Sequence, residues 1–294
     1  GAIKPPVKVV LTGDGGDEAF GGYKDAKLFL LRSKLDKLVG LGDWIHGGIL
    51  ASLLGSDSSL LRKLGYGGMA LRNDGARAFC SLIRGGWTLE YRRRFFRREI
   101  WKRTGEDEVE NEVRRRFSNS GGSDLERYLN MTLERLTQCY LVKIDRASMA
   151  HSIEARSPFL DGDLLDKATG SAPGLLFRGG ANKPVLKDLL GRRIGEKFSR
   201  RPKMGFSPPL GDWLREPQSA AWVEARLTGK DSFAYQLVEP SRIRSLLQLQ
   251  RRGEDHTGRL WKLLFLNEWF TRFYGSERVS TDAPVMEGRA HGKA

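Results

Sequence analysis

The run Val7-Lys8-Val9-Val10-Leu11, set off by Pro5 and Pro6, passes directly into Thr12-Gly13-Asp14-Gly15-Gly16 and then into an acidic stretch beginning at Asp17. A short, nearly unbroken β-branched run of this kind reads as a buried strand of a parallel sheet. The glycines form a turn, and Asp17 and Glu18 suit the first turn of a helix. Strand, Gly-rich turn and helix N-terminus in that order point to an α/β fold. In open α/β sheets, the corner at the carboxyl end of a strand is where ligands bind.

The chemistry of that corner is mixed. Gly13, Gly15 and Gly16 let backbone N–H groups turn toward a ligand, and the helix that follows adds the positive end of its dipole. Asp14, Asp17 and Glu18 then bring three carboxylates to the same place. Bare phosphate would be repelled by them, whereas a phosphate carrying a hard cation would be attracted. Mg²⁺ commonly uses one or two carboxylates together with phosphate oxygens. The local physics therefore allows two readings, an Mg-nucleotide site or an acidic helix N-terminus beside a tight turn.

Beyond this unit the pattern is mostly helical. Helices are expected over Tyr23–Leu38, Trp87–Trp101, Glu106–Phe117, Asp161–Thr169, Lys183–Ile194, Asp212–Glu216, Pro240–Arg252 and His256–Phe273. Residues from Leu125 to about His151 read as one or two helices with a bend, capped by Asp124. Residues 154–161 (EARSPFLD) read as a turn around Pro158, and Arg200–Pro209 as a Pro/Gly loop. Leu38–Leu54 is apolar but broken by Asp43, His46 and several glycines. It falls short of the roughly 20 clean residues of a membrane span and reads as a helix pair with a Gly-rich break. Residues 276–294 lack periodicity and read as a disordered tail behind a domain covering 1–275.

Two further segments carry candidate chemistry. Lys143, Asp145 and Arg146 form a mixed-charge cluster on a helix, opposite a stripe of Leu141, Ile144, Ser148 and His151. This is either a functional face or a charge-laced helix packed on the core. Lys203 lies on a Gly/Pro-bounded loop followed by the aromatic residues Phe206 and Trp213. A lysine held in this way can close over a phosphate, although a loop lysine is more often simply solvated.

With 50 Lys+Arg against 36 Asp+Glu, the formal charge is +14. That favours anionic partners without choosing among them. A non-catalytic basic module that binds nucleic acid is the alternative class, and no aromatic-rich RNA-binding signature supports it. The four histidines show no metal spacing. Two cysteines cannot build a disulfide framework or a four-ligand zinc site, so Cys80 and Cys139 read as reduced thiols of a cytoplasmic protein. The opening GAIKPPVKVV has no initiator Met and no signal segment, and it reads as the continuation of a longer polypeptide.

Four ordered segments resemble the synthetase domain of the asparagine synthetase family, glutamine-hydrolysing type. They are TGDGGDEAFGGY (12–23), KIDRASMAHSIEARSPFLD (143–161), FRGGANKPVLKDLL (177–190) and RRPKMGFSPPLGDWL (200–214). The likeness is convincing over residues 7 to 215. It implies an α/β fold, mostly helical in this chain: part of a PP-loop ATP pyrophosphatase parallel sheet with an appended helical lobe. It implies ATP and Mg²⁺, a small-molecule carboxylate (aspartate in the family's namesake reaction) and ammonia from glutamine. The carboxylate is adenylated with release of pyrophosphate, and ammonia then gives the amide. By resemblance, Thr12 and Gly13 face the nucleotide, and Gly15 and Gly16 of the same turn are taken as cofactor-binding with them. Asp14 handles protons and orients substrate, Asp17 binds Mg²⁺ with Glu18 as a further candidate, and Lys203 is catalytic.

Two departures stand out. The family usually has Ser-Gly-Glu where this chain has Thr12-Gly13-Asp14, and Asp is one methylene shorter than Glu. No SGGxDS phosphate-binding loop occurs in the chain, nor does the Cys-initiated glutaminase domain. The expected partners are therefore the N-terminal half of the same polypeptide and a second copy of the chain. Neither nucleic acid nor a membrane is expected.

Overall fold

The computed structural model describes residues 7–38, 58, 61, 64–65, 75–84, 87–104, 108–171, 173–201 and 208–275. The expected helix pair within Leu38–Leu54, the loop at 202–207 and the tail at 276–294 lie outside the described residues. Strand β1 (Val9–Leu11) is followed by helices α1 (Gly16–Ala19), α2 (Ala26–Leu38), α3 (Gly75–Arg84), α4 (Leu89–Phe95), α5 (Arg98–Thr104), α6 (Glu108–Asn119) and α7 (Asp124–Arg135). A π-helical turn, Leu136–Tyr140, then leads into α8 (Leu141–Met149) and strand β2 (Glu154–Arg156). After these come α9 (Gly162–Thr169), α10 (Pro173–Leu176), α11 (Pro184–Ile194), α12 (Glu196–Ser199), α13 (Leu210–Trp213), α14 (Pro217–Thr228), α15 (Phe233–Leu237), α16 (Pro240–Arg251) and α17 (Thr257–Tyr274). The chain is mostly helical α/β with a small parallel sheet.

It divides into two compact units. The first comprises Gly1–His46, Ala70–Phe79 and Glu110–Met204, and the second Gly47–Met69, Cys80–Val109 and Gly205–Ala294. In the first, β1 pairs in parallel with β2, matching Val9 with Glu154, Val10 with Ala155 and Leu11 with Arg156. Two bonds continue the ladder: Glu154 N–H to Lys8 O at 2.7 Å and Thr12 N–H to Arg156 O at 2.8 Å. Residues 154–156 are thus a strand and not part of a turn. Glu and Arg are weak strand formers and three residues give no alternation to read, so the pairing with β1 decides their conformation. Val9 and Leu11 are exposed.

The core of the first unit is aromatic. Phe29 of α2 stacks on Tyr128 of α7 with ring centroids 4.6 Å apart, and Phe79 and Phe117 close the cluster. Arg32, 1% exposed, reaches Asp124 at 2.8 Å. Asp124 is therefore not the cap of α7. Ser123 takes that place, in a reciprocal capping box with Glu126, and its backbone N–H holds the Glu126 carboxyl below the usual range. A smaller cluster of Ala19, Phe20 and Ala168, with Phe159, Leu165 and Leu186 against it, lies beneath the Gly-rich turn.

The second unit is helical, around Trp87, Tyr91, Phe95, Val223, Leu227, Ile243, Leu247 and Leu260. The expected single helix over Trp87–Trp101 is two helices. Phe96 leaves the helical path to bridge Val238, and Arg97 N–H bonds Leu237 O at 2.9 Å. The helix expected at Asp212–Glu216 is α13, which ends at Trp213. Glu216 precedes Pro217 and is extended, as residues before proline tend to be. Helices α3 and α14 were not anticipated from the sequence. Among the described residues no helix is long and apolar enough to cross a membrane. Cys80 is buried and Cys139 exposed, and no disulfide joins them.

Candidate functional site

Residues 12–16 leave β1 and turn at its carboxyl end. The turn closes with Gly16 N–H to Gly13 O at 3.3 Å and Ala19 N–H to Gly15 O at 2.8 Å. Its two ends face different surroundings. A Cβ built on Gly13 would meet nothing within 4 Å, so the Thr12–Asp14 side is open. Gly15 has φ 83°, and a Cβ there would lie 2.4 Å from Leu160 Cδ2, while one on Gly16 would lie 3.2 Å from the Phe159 ring. Gly15 and Gly16 are buried against the segment after β2. Ser157 Oγ donates to the Asp14 carbonyl from that same segment. The first and second of the resembling segments are therefore packed together.

Residues 177–183 complete the corner. A Cβ on Gly21 would meet the Phe177 ring at 2.6 Å, Asn182 Nδ2 donates to Gly22 O at 2.9 Å, and Lys183 Nζ lies 2.8 Å from Asp17 Oδ1. The Asp17 carboxylate lies over Gly22, where an added Cβ would be 1.7 Å from Oδ1. Lys183 has φ 52°, a left-handed conformation that costs a non-glycine residue about 1–2 kcal/mol. Asn182, the Asp17 ion pair and the start of α11 at Pro184 hold it there. Such strain commonly accompanies a functional position. Reading the sequence had assigned no role to Lys183. Its signal, a lysine before a helix-initiating proline, is intelligible only once Asp17 is seen beside it.

Glu18 has different neighbours. It is 6% exposed, and its Oε1 accepts from Tyr23 Oη at 2.5 Å. Burial, reinforced by the Glu18 carboxylate as hydrogen-bond acceptor and charge, pushes the Tyr23 phenol well above its ordinary value. Glu18 lines a groove of about 480 Å³ with Gly121, Gly122, Glu126, Asn130 and Asp166. Its carboxylate is thus engaged by a phenol. Lys143, Asp145 and Arg146 are exposed on α8, no residue of which is fully buried. Lys143 Nζ stands 5.5 Å from the centre of the Tyr140 ring. Glu154 and Arg156 pair with each other at 2.9 Å. Lys203 lies outside the described residues.

Among the described residues no three His, Cys, Asp or Glu side chains gather to hold a metal ion unaided. A cation that also takes phosphate oxygens needs only one or two carboxylates. Asp17, part-exposed and already holding one cation, the Lys183 ammonium, fits that requirement. Gly13, between Thr12 and Asp14, marks the open side of the same turn.

The model of the asparagine synthase family matches residues 1–271. Proteins named as glutamine-hydrolysing asparagine synthetases in Mycobacterium tuberculosis and Mycobacterium bovis are each 31% identical over 279 residues, 91% of this chain and 40% of theirs. Asparagine synthetase 1 of Bacillus subtilis, also named as glutamine-hydrolysing, is 23% identical over 278 residues, 90% of this chain and 40% of its own. The chain thus spans about two-fifths of the length of these curated relatives. No solved structure matches it. The convergence of three ordered segments on one strand end, and the match across nearly the whole chain, lead to one conclusion: the chain belongs to the asparagine synthase family.

Proposed function

We propose that the protein carrying this chain is an ATP-dependent amide-forming ligase of the PP-loop class, and that the turn at Thr12–Asp17 is one wall of its nucleotide site. The observation that carries this reading is the Asp17–Lys183 pair beside the Gly-rich turn, assembled from segments far apart in sequence. Mg²⁺-ATP supplies an electrophilic α-phosphorus and a leaving pyrophosphate, so that a carboxylate is adenylated and ammonia, derived from glutamine, takes the place of AMP.

The chain's own groups divide the work. Asp17 would hold the cation, and the Lys183 ammonium beside it would be available to phosphate oxygen. Gly13 admits the nucleotide at close range. Asp14 orients substrate and accepts a proton, with a side chain one methylene shorter than the family's usual Glu. Lys203 neutralises charge that builds on the reacting phosphate; loss of one such donor typically costs ~10²–10³ in rate. The remainder of the protein covers the exposed strands β1 and β2 and contributes the phosphate-binding loop, since parallel sheets are covered on both faces.

The test is carboxylate-dependent exchange between pyrophosphate and ATP in the whole protein. It is run with aspartate and then with sugar-acid and peptide carboxylates, which identifies the substrate. Asp17→Asn and Lys203→Ala should each lower exchange by about 10²–10³. Exchange unaffected by both variants would overturn the reading.

A further inference from the structure

The π-helical turn Leu136–Tyr140 changes which side chains meet between α7 and α8. In an unbroken α-helix Arg135 would share a face with Cys139 and Lys143, one and two turns on. Across the π turn it meets Tyr140 instead, and its Nη2 donates to Tyr140 Oη at 3.1 Å. Single π turns inside helices recur at functional sites. The Arg135 guanidinium lies 5.9 Å from the centre of the Tyr140 ring, and Lys143 Nζ lies 5.5 Å from it. Two cations thus gather about one exposed phenol, each within the range of a cation–π contact. Neither pairs with a carboxylate among the described residues. Glu134, beside Arg135 in sequence, accepts instead from Arg116 and Gln138. The cluster stands near the Gly-rich corner, since α7 packs on α1. Tyr23, raised first by burial and then by Glu18, also feels Asp17 and, last, Tyr140. Tyr128, raised first by burial and then by Asp25, is lowered by Arg135. Tyr23 therefore has Asp17 and the π turn both within electrostatic range.

We propose that Arg135, Tyr140 and Lys143 select the substrate: they hold a second anionic group, carboxylate or phosphate, on the molecule whose first carboxylate is adenylated at the Thr12–Asp17 turn. The inference rests on the ligase reading above and adds to it a substrate class, a carboxylate that carries another oxyanion. The chemistry of the three side chains suits that group. A guanidinium offers parallel N–H donors that match a carboxylate or phosphate, and the ammonium adds a point charge. The Tyr140 hydroxyl already fixes Arg135, so less side-chain freedom is lost when the anion arrives. Two like charges held together without a counter-ion repel each other, and an oxyanion between them relieves that repulsion. A substrate lacking the second anion leaves both cations unpaired. Sites built to bond a polar group reject the analogue without it for this reason.

Two measurements on the whole protein test this. The first is pyrophosphate exchange with carboxylates paired so that one member lacks the second anion: aspartate and β-alanine, glutamate and γ-aminobutyrate, the anomeric phosphate of a uronic acid and the free uronic acid. The member with two anionic groups should be preferred by about 100-fold in kcat/KM. Arg135→Gln and Lys143→Gln should each raise its KM by about 10–100-fold, as loss of a charge-assisted hydrogen bond does, and leave the KM for ATP unchanged. Lys143→Arg should restore most of the loss. Tyr140→Phe keeps the ring but not the bond to Arg135, and should raise KM by less than about 10-fold. The second measurement needs no turnover. The ring resonance of Tyr140, assigned by its absence in Tyr140→Phe, should shift saturably as succinate is added at constant ionic strength, and Arg135→Gln should abolish the shift. Preference for the member with one anion overturns the proposal. So does exchange indifferent to the Arg135 and Lys143 variants, and so does a rise in KM for ATP, which would give these cations to the nucleotide. Absence of exchange with every carboxylate strikes the ligase reading instead. The anion site is then judged on succinate alone, and a Tyr140 resonance that does not move overturns it in either case.

Discussion

Gly13 and Gly22 lie within one short segment, yet substitution at each should be felt differently. At Gly13 a methyl group enters open space, so Gly13→Ala should leave stability within about 0.5 kcal/mol of wild type. The methyl nevertheless narrows the mouth of the turn, and exchange activity of the whole protein should fall. At Gly22 the methyl would sit on the Asp17 carboxylate. Gly22→Ala should therefore displace Asp17, break its pair with Lys183, and lower both activity and stability, the latter by about 1–3 kcal/mol as overpacking typically does. Thermal melts and pyrophosphate exchange on the two variants separate the effects; equal melting temperatures would refute the contact read at Gly22. Asp17 stood out in the sequence as a candidate because it follows a Gly-rich strand end, with an acidic helix N-terminus as the other reading. Lys183 was not, because its partner comes from the other end of the unit; the neighbouring Asn182–Gly22 bond spans 160 residues.

At the scale of elements, α7 shows what a sequence can and cannot reveal. Its start was visible from the polar break at 118–124, but the capping role had been given to Asp124. Ser123 caps the helix, and Asp124 is drawn to Arg32 on α2, 92 residues away. A long-range ion pair outcompetes a local cap because Arg32 is buried and its charge needs a partner. The two residues should differ in consequence. Ser123→Ala removes a cap and should cost ~1 kcal/mol. Asp124→Ala takes the carboxylate from a buried guanidinium and should cost roughly 3 kcal/mol. Denaturant melts rank the two, and an Asp124→Ala variant no less stable than Ser123→Ala would show that Arg32 does not depend on the pair. The strand at Glu154–Arg156 was missed for a related reason: its conformation is imposed by β1 and not by its own residues.

Across the molecule, the strand–turn–helix corner and most long helices were readable because their signals are local. The arrangement that makes them a site was not, since it depends on contacts between distant segments. The acid–base behaviour of the first unit follows from that arrangement. Tyr23 is raised by burial first and then by Glu18, and Tyr128 by burial among Phe29 and Phe79 and then by Asp25. Both folded-state values lie above the ordinary tyrosine value of about 10. Below that pH the phenols are neutral in folded and unfolded chains alike, so stability does not vary through them. Above it the unfolded chain releases protons that the folded chain retains, and stability falls as pH rises. A spectrophotometric titration of tyrosinate should therefore find Tyr23 and Tyr128 among the tyrosines that stay silent until the unit unfolds, and then ionise together with the loss of circular dichroism. Tyr23→Phe should lower the number of silent tyrosines by one. It should also cost about 1–3 kcal/mol at neutral pH, because buried Glu18 loses the hydroxyl it accepts from. Free titration of Tyr23 in the folded protein would mean that Glu18 and Tyr23 are open to water.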